Sequence, residues 1–253
     1  MNQLTLSIVI PAYNEQENIK QTIIEILNVL QNEKIPSEIV VVNDNSKDNT
    51  PEVVKEIQKD YTSVKLVNRT PPGGFGRAIR TGLQNFSGDV VIIVMADLSD
   101  DPNDIVKYYR KIEEGYDCVY GSRFTKHSIV KDYPLYKLIV NRIVNKAIQI
   151  IFWTNHNDLT NAFKAYRSEV IKNLVPLHAC HFNITIELSL SALIRKYRIA
   201  SVPINWYGRK WGQSNLKLRA MGRRYLATLL KIWFERVLIL DDILAEKSIT
   251  KEE

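Results

Sequence analysis

Between residues 5 and 121, short runs of Val and Ile recur with helical stretches between them, and no other feature limits the fold so tightly. "LSIVIP" reads as a strand, followed by Ile19, Ile23, Ile26, Leu27 and Leu30 at helical spacing. "EIVVV" is a second strand; after it Thr50 is placed to cap a helix with Pro51 first and Val53, Val54 and Ile57 inward. "VKLV" makes a third, before a Gly-rich turn and a helix burying Ala78, Ile79, Leu83 and Phe86. "DVVIIV" and "DCVYGS" follow as fourth and fifth strands, with "PNDIVKYYRKIEE" as the helix between them. Strands apolar on both faces and joined by helices imply a mostly parallel α/β sheet covered on each side. Beyond 121 the alternation stops. The pattern predicts a helix over 133–153, a loop "NHNDLTNAFKAY", a helix near 183–196, one strand "IASVPINWY" and a basic helix from 217. This half reads as an appendage that closes over the sheet.

In such sheets ligands sit beyond the carboxyl ends of the strands, where "PAYNE", "NDNS" and "MADLSDD" all fall. Asp97, Asp100 and Asp101, directly after a buried run, call for a cation. Mg²⁺ or Mn²⁺ takes carboxylates and phosphate oxygens, so a diphosphate would supply the ligands the protein omits. On an extended strand Met95, Asp97 and Ser99 share one face, and a turn before Pro102 would swing Asp100 beside Asp97. The competing reading makes Asp100 and Asp101 caps of the helix after Pro102, which suits Asp101 better. A phosphoacceptor aspartate on a signalling domain of similar topology is a third reading, and it accounts for nothing after about residue 121.

Several other readings narrow quickly. "PPGGFGRA" fails as a dinucleotide fingerprint: its third glycine is Ile79 and it follows the third strand, not the first. It remains either a mobile substrate-contacting loop or a plain tight turn. No P-loop motif is present. "HACH" at 178–181 lacks the second ligand pair that structural zinc requires. Cys118 and Cys180 are far apart with no C-x-x-C, which suggests a reducing compartment. The N-terminal run is too short for a signal peptide, and 225–240 is broken by Lys231, Glu235 and Arg236, so it is no membrane span. The net charge of +6 is concentrated late, with Arg195, Lys196, Arg198, Arg209, Lys210, Lys217, Arg219, Arg223 and Arg224 between 195 and 224. Such a cluster fits a phosphate-bearing partner or an ordinary solvated face.

"VIPAYNE", "VVNDNSKDNT", "GDVVIIVMADLSDDP", "YGSR", "NDLTNAFKAYR" and "VPINWYGRKWGQSNLK" occur in this order and span 8–217. Together they resemble family 2 glycosyltransferases of the GT-A fold, most closely the dolichol-phosphate (polyprenyl-phosphate) mannose synthase branch. The resemblance implies a catalytic domain over 1–217 and a basic amphipathic helical extension over 218–253. It implies that Pro11, Ala12, Tyr13, Glu15, Asp44, Ala96, Asp97 and Arg209 bind a nucleotide-diphospho-sugar. Asp97 and Ser99 match metal-side positions for Mg²⁺ or Mn²⁺, with Asp100 as the added carboxylate. Arg209 matches the clamp on the donor diphosphate, and Arg123, Lys137 and Arg142 fall where the acceptor phosphate is held. Asp97, Arg123 and Arg209 are thus the expected catalytic groups. Two positions depart from the pattern. Asn43 replaces the first aspartate of "DDxS", and Met95 replaces the first aspartate of the D-A-D metal motif with a poor ligand for a hard cation.

The implied reaction moves a hexose, with inversion, from the nucleotide sugar to a polyprenyl phosphate. Its acceptor lies in a bilayer. Leu135, Leu138, Ile139, Val144, Ile148 and Ile151, with Phe152 and Trp153 at the end, form an apolar helix face that suits either the interface or the core. The implied protein is cytoplasmic and peripheral at the membrane, with a membrane-anchoring partner or a second copy as candidate companions and no nucleic acid. Two alternatives stand: transfer to a soluble sugar hydroxyl, or nucleotide-sugar binding without catalysis.

Overall fold

The computed structural model describes residues 3–208, 211 and 218–249. Its first half follows the expected alternation: β1 (Leu6–Ala12), α1 (Ile19–Asn32), β2 (Ser37–Asn43), α2 (Thr50–Asp60), β3 (Val64–Asn68), α3 (Phe75–Asn85), β4 (Val90–Ile93), α4 (Pro102–Glu113) and β5 (Cys118–Ser122). β6 (Val130–Lys131), α5 (Leu135–Phe152), β7 (Lys164–Arg167), α6 (Ser168–Leu174), α7 (Ile184–Ile194), β8 (Ile199–Pro203), β9 (Trp206–Tyr207), α8 (Leu218–Leu238) and α9 (Leu240–Ile249) complete the order.

The main sheet runs β3-β2-β1-β4-β7-β5-β8. Ile8 is in register with Ile39 on one side and Ile92 on the other, all three strands being parallel. Strand alternation divides the core in two. Leu6, Ile8 and Ile10 of β1 face one cluster with α1, α2 and α4, while Val9 faces the other with α3, α6 and α7. Gly82 permits the close approach on that second side, since a Cβ there would lie 2.2 Å from Val9 Cγ1. Burying these apolar faces drives the assembly, at about 25 cal/mol per Å² of apolar surface removed from water.

Three expectations for the second half are corrected. Residues after 121 are no appendage: β7 and β8 belong to the main sheet. β7 comes from the segment read as loop, and it enters antiparallel between β4 and β5, with Ile93 opposite Lys164 and Tyr120 opposite Lys164 on the other side. Lys164 disguised it. That side chain is buried, donating to the carbonyls of Leu159 at 2.8 Å and of Asn161, with its ammonium 5.3 Å from the Tyr120 ring centroid. "IASVPINWY" is two strands, because after Pro203 the chain leaves β5 and pairs Trp206 and Tyr207 with Val130 and Lys131 in a separate small sheet.

Thr50 does not cap its own helix. Its hydroxyl accepts the Glu15 N–H at 2.9 Å and donates to Asp48, whose carboxylate takes the Thr50 N–H at 3.0 Å. From 218 onward, Ile232 and Ile243 join the second core cluster, and Asn183 ties α7 to Thr228 of α8 at 2.9 Å.

Candidate active site at the strand ends

The ends of β1 and β2 are laced to each other. Asp44 N–H donates to the Ala12 carbonyl at 2.8 Å, Asn14 N–H to Ser46 Oγ at 3.0 Å, and Lys47 N–H to Asn14 Oδ1 at 2.8 Å. Glu15 is buried and accepts from Asn18 Nδ2 at 2.7 Å, while the Tyr13 ring is exposed. Asn43, in place of the expected aspartate, uses both ends of its amide. Nδ2 donates to Asn68 at 2.9 Å and Oδ1 accepts the Ser46 N–H at 3.1 Å. A carboxylate could not make the first of these bonds.

Asp44 is buried, ion-paired with Arg69, and accepts the Gly74 N–H at 2.6 Å. The Gly-rich stretch is therefore anchored at the site. Gly74 has φ 151°, and a Cβ on it would meet the Cys180 carbonyl at 2.4 Å, so only glycine fits there. "HACH" is the wall that it packs against. Glu187 of α7 accepts the N–H groups of His178 at 3.1 Å and Ala179 at 2.7 Å, and also binds Lys231 of α8 at 3.3 Å. Among the described residues no three His, Cys, Asp or Glu side chains are grouped to hold a metal.

β4 ends at Ile93, so the strand-parity argument for Met95, Asp97 and Ser99 does not apply; the chain is already turning, with Leu98 at φ 61°. Asp97 and Ser99 are both buried, and Asp97 Oδ1 accepts the Ser99 N–H at 3.2 Å. The turn folds Asp100 back so that Oδ2 takes the Met95 N–H at 3.0 Å. Its Oδ1 is buried without a partner. Burial first, and the nearby Asp97 charge, raise the Asp100 carboxyl to about 7, against the lowering effect of the Met95 N–H. The helix cap is Asp101, which accepts the Asn103 N–H at 3.0 Å and Asn205 Nδ2 at 3.0 Å. Asp100 is thus no cap. Two buried carboxylates, one of them with an orphaned oxygen, form a hard donor set that fits a divalent cation with phosphate oxygens completing it.

Across the rim, Arg123 follows β5. Asp158 accepts from its Nε and Nη2, both at 2.7 Å, and from its backbone N–H at 3.1 Å. The charge and hydrogen bonds of Asp158 keep the guanidinium pKa high despite burial. Arg123 and Arg142 approach the same Phe124 ring, at 5.3 and 4.9 Å from its centroid. Both line an open cleft of about 550 Å³ that also includes Ser128 and Tyr133. Lys137 sits on α5 but does not line that cleft. Arg209 lies outside the described residues.

Comparison with known proteins gives these residues a setting. The family model described as glycosyl transferase family 2 matches residues 7–175. The chain belongs to glycosyl transferase family 2. It is 33% identical over 216 residues to the dolichol-phosphate mannosyltransferase of Pyrococcus furiosus, covering 85% of this chain and 60% of that protein. It is 25% identical to the polyprenol monophosphomannose synthase of Mycolicibacterium smegmatis, covering 83% of this chain and 80% of that one. The crystal structure of glucosyl-3-phosphoglycerate synthase from Mycobacterium tuberculosis with UDP matches 91% of this chain and 80% of its own, at TM-score 0.67 and 22% identity. That likeness shows the fold, the GT-A arrangement expected.

Within this family 2 member, sequence reading missed Asp158, Lys164 and the asparagines of α5. "NDLTNAFKAYR" was visible as a motif, and an acidic residue inside it was the available signal for a partner to Arg123. The apolar face drawn on α5 is also divided. Ile148 and Phe152 are in the core, while Leu135, Ile139, Ile151 and Trp153 are exposed, as are Ile143 and Ile150 of the same helix.

Proposed function

We propose that this protein transfers a hexosyl group, with inversion, from a nucleotide-diphospho-sugar to the phosphate of a polyprenyl phosphate at a membrane surface. The observation that carries the reading is the cleft lined by Arg123 and Arg142 beside the exposed apolar stripe of α5. A phosphate head in that cleft would leave its hydrocarbon chain against the apolar side chains. A second exposed stripe on α8, including Leu226, Leu230, Phe234 and Val237, is flanked by Arg223 and Arg236 and suits peripheral contact with anionic lipid. Among the described residues no helix is long and apolar enough to cross a membrane. The two named relatives are, by name, a dolichol-phosphate mannosyltransferase and a polyprenol monophosphomannose synthase.

Asp44 and the loops of Tyr13 and Glu15 would hold the nucleoside, and Asp97 and Asp100 would hold Mg²⁺ or Mn²⁺. The bound cation supplies positive charge against the diphosphate. In the transfer, an acceptor phosphate oxygen forms a bond to the anomeric carbon as the bond to the diphosphate oxygen breaks. Attack from the face opposite the leaving group inverts the configuration. A phosphate monoester is already anionic at neutral pH, so no side chain has to remove a proton. Arg123 and Arg142 would orient it, and Arg209 is the residue assigned to the diphosphate.

The test is a screen of nucleotide sugars with a short polyprenyl phosphate and Mg²⁺ or Mn²⁺, extracting product into organic solvent. Lipid-soluble product supports the reading. Transfer only to water-soluble acceptors favours the second reading, for which the glucosyl-3-phosphoglycerate synthase crystallised with Mn²⁺, UDP and phosphoglyceric acid is the precedent. Donor binding with no transfer leaves a nucleotide-sugar-binding protein.

A further inference from the structure

We propose that Asp158 is a positioning residue for Arg123, an inference that rests on the phosphate-acceptor reading above. A guanidinium carries five N–H donors in a rigid plane. Asp158 takes the Nε edge and one Nη2 donor, both at 2.7 Å. Nη1 has no acceptor among the described residues, so one edge of the plane is fixed on a carboxylate and the other is left for a ligand. Rotation is limited further by the Phe124 and Tyr133 rings, 5.3 and 5.6 Å from the guanidinium carbon.

Asp158 is itself held in place. Its side chain is only 1% exposed. The loop carrying it is clasped by Asn145 of α5, which accepts the Leu159 N–H at 2.7 Å and donates to Thr160 Oγ1 at 2.9 Å. The placement of α5 is thereby transmitted to Arg123 through Asn145, the 158–160 loop and the Asp158 carboxylate. The arrangement has a charge consequence. Arg123 and Asp158 together are neutral and Asp132 also lines the cleft, so attraction for a phosphate rests on Arg142, which has no carboxylate partner among the described residues, rather than on Arg123. Arg123 orients the acceptor; Arg142 attracts it.

Two measurements test this. The first needs no substrate: the Arg123 Nε–H resonance in ¹⁵N spectra, assigned by its loss in Arg123→Lys, should be exchange-protected in the wild type and lost in Asp158→Asn. The second is a double-mutant cycle on transfer to a short polyprenyl phosphate. Asp158→Asn should lower kcat about a hundredfold without raising the acceptor KM, because a misaligned nucleophile reacts slowly even when bound. In an Arg123→Ala background the same change should have less than about a twofold effect. If Asp158→Asn does not fold, Asp158→Glu keeps the charge but displaces it, and should show the same kcat loss with a normal melt. A protected resonance surviving in Asp158→Asn overturns the proposal, and so does an additive cycle. Wild-type transfer to hydroxyl acceptors alone would instead sink the phosphate-acceptor reading, and the positioning role with it.

Discussion

Asp100 turns one carboxylate oxygen onto the backbone N–H of Met95 at 3.0 Å and leaves the other buried and unpartnered beside Asp97. We propose that this carboxylate, five residues from the position of the absent aspartate, supplies to a bound cation the charge that Met95 does not. The expected outcome is that Asp100→Ala weakens Mn²⁺ or Mg²⁺ binding at least tenfold, read by calorimetry. Asp101→Ala should instead cost about 0.5–2 kcal/mol of stability as a lost cap, with the metal requirement intact. Equal metal affinity in Asp100→Ala and wild type would remove Asp100 from the site.

Asp97→Asn should abolish transfer, with a loss of order 10² or more in kcat, since stabilisation of the leaving diphosphate is the largest electrostatic demand of the reaction. Donor turnover with and without EDTA is the measurement. Full activity in EDTA would end the cation assignment.

Arg142→Ala should raise the acceptor KM far more than the donor KM, whereas Arg123→Ala should act chiefly on kcat. Arg123→Ala should also destabilise the protein by about 3–5 kcal/mol, because Asp158 is left as a buried, uncompensated charge. Adding Asp158→Asn to it should recover part of that stability in denaturant titrations. No recovery would mean that the pair is not the source of the loss.

Lys164 gives a pH signature. Burial chiefly, and secondarily Arg123, lower its pKa from 10.5 to about 7, although Asp158 acts in the opposite sense. Between those two values the unfolded chain holds a proton that the folded chain has released, so stability rises with pH through that window. The slope is at most about 1.4 kcal/mol per pH unit for one group. Its contribution is full above 10.5 and is lost as pH falls through about 7. Lys164→Met should flatten the slope relative to wild type in melts at pH 7 to 10. An unchanged slope would mean that the folded chain keeps the Lys164 proton across that window, against the lowered pKa.

Ile143→Glu on α5 and Leu226→Glu on α8 should each reduce sedimentation with anionic vesicles by about fivefold or more. Both positions are exposed, so stability should change by no more than about 0.5 kcal/mol. Undiminished vesicle binding in the double variant would detach these faces from the membrane.

The periodicity of the chain by itself determined β1 to β5, the helices between them, and the rim on which "PAYNE", "NDNS" and "MADLSDD" meet. Alternation along a strand and spacing along a helix are local, so Ile8, Ile23 and Ile92 announce their burial without knowledge of their neighbours. The Asp101 cap was legible for the same reason, since Pro102 and the Asn103 N–H it serves are adjacent. Only the tertiary structure decided that β7 slips antiparallel into the sheet, because its buried Lys164 is made tolerable by carbonyls that the fold brings to it. The same holds for Asp158, which meets Arg123 across 35 residues of sequence. Such pairings are set by the closing of chain loops and by desolvation, and neither leaves a period in the sequence.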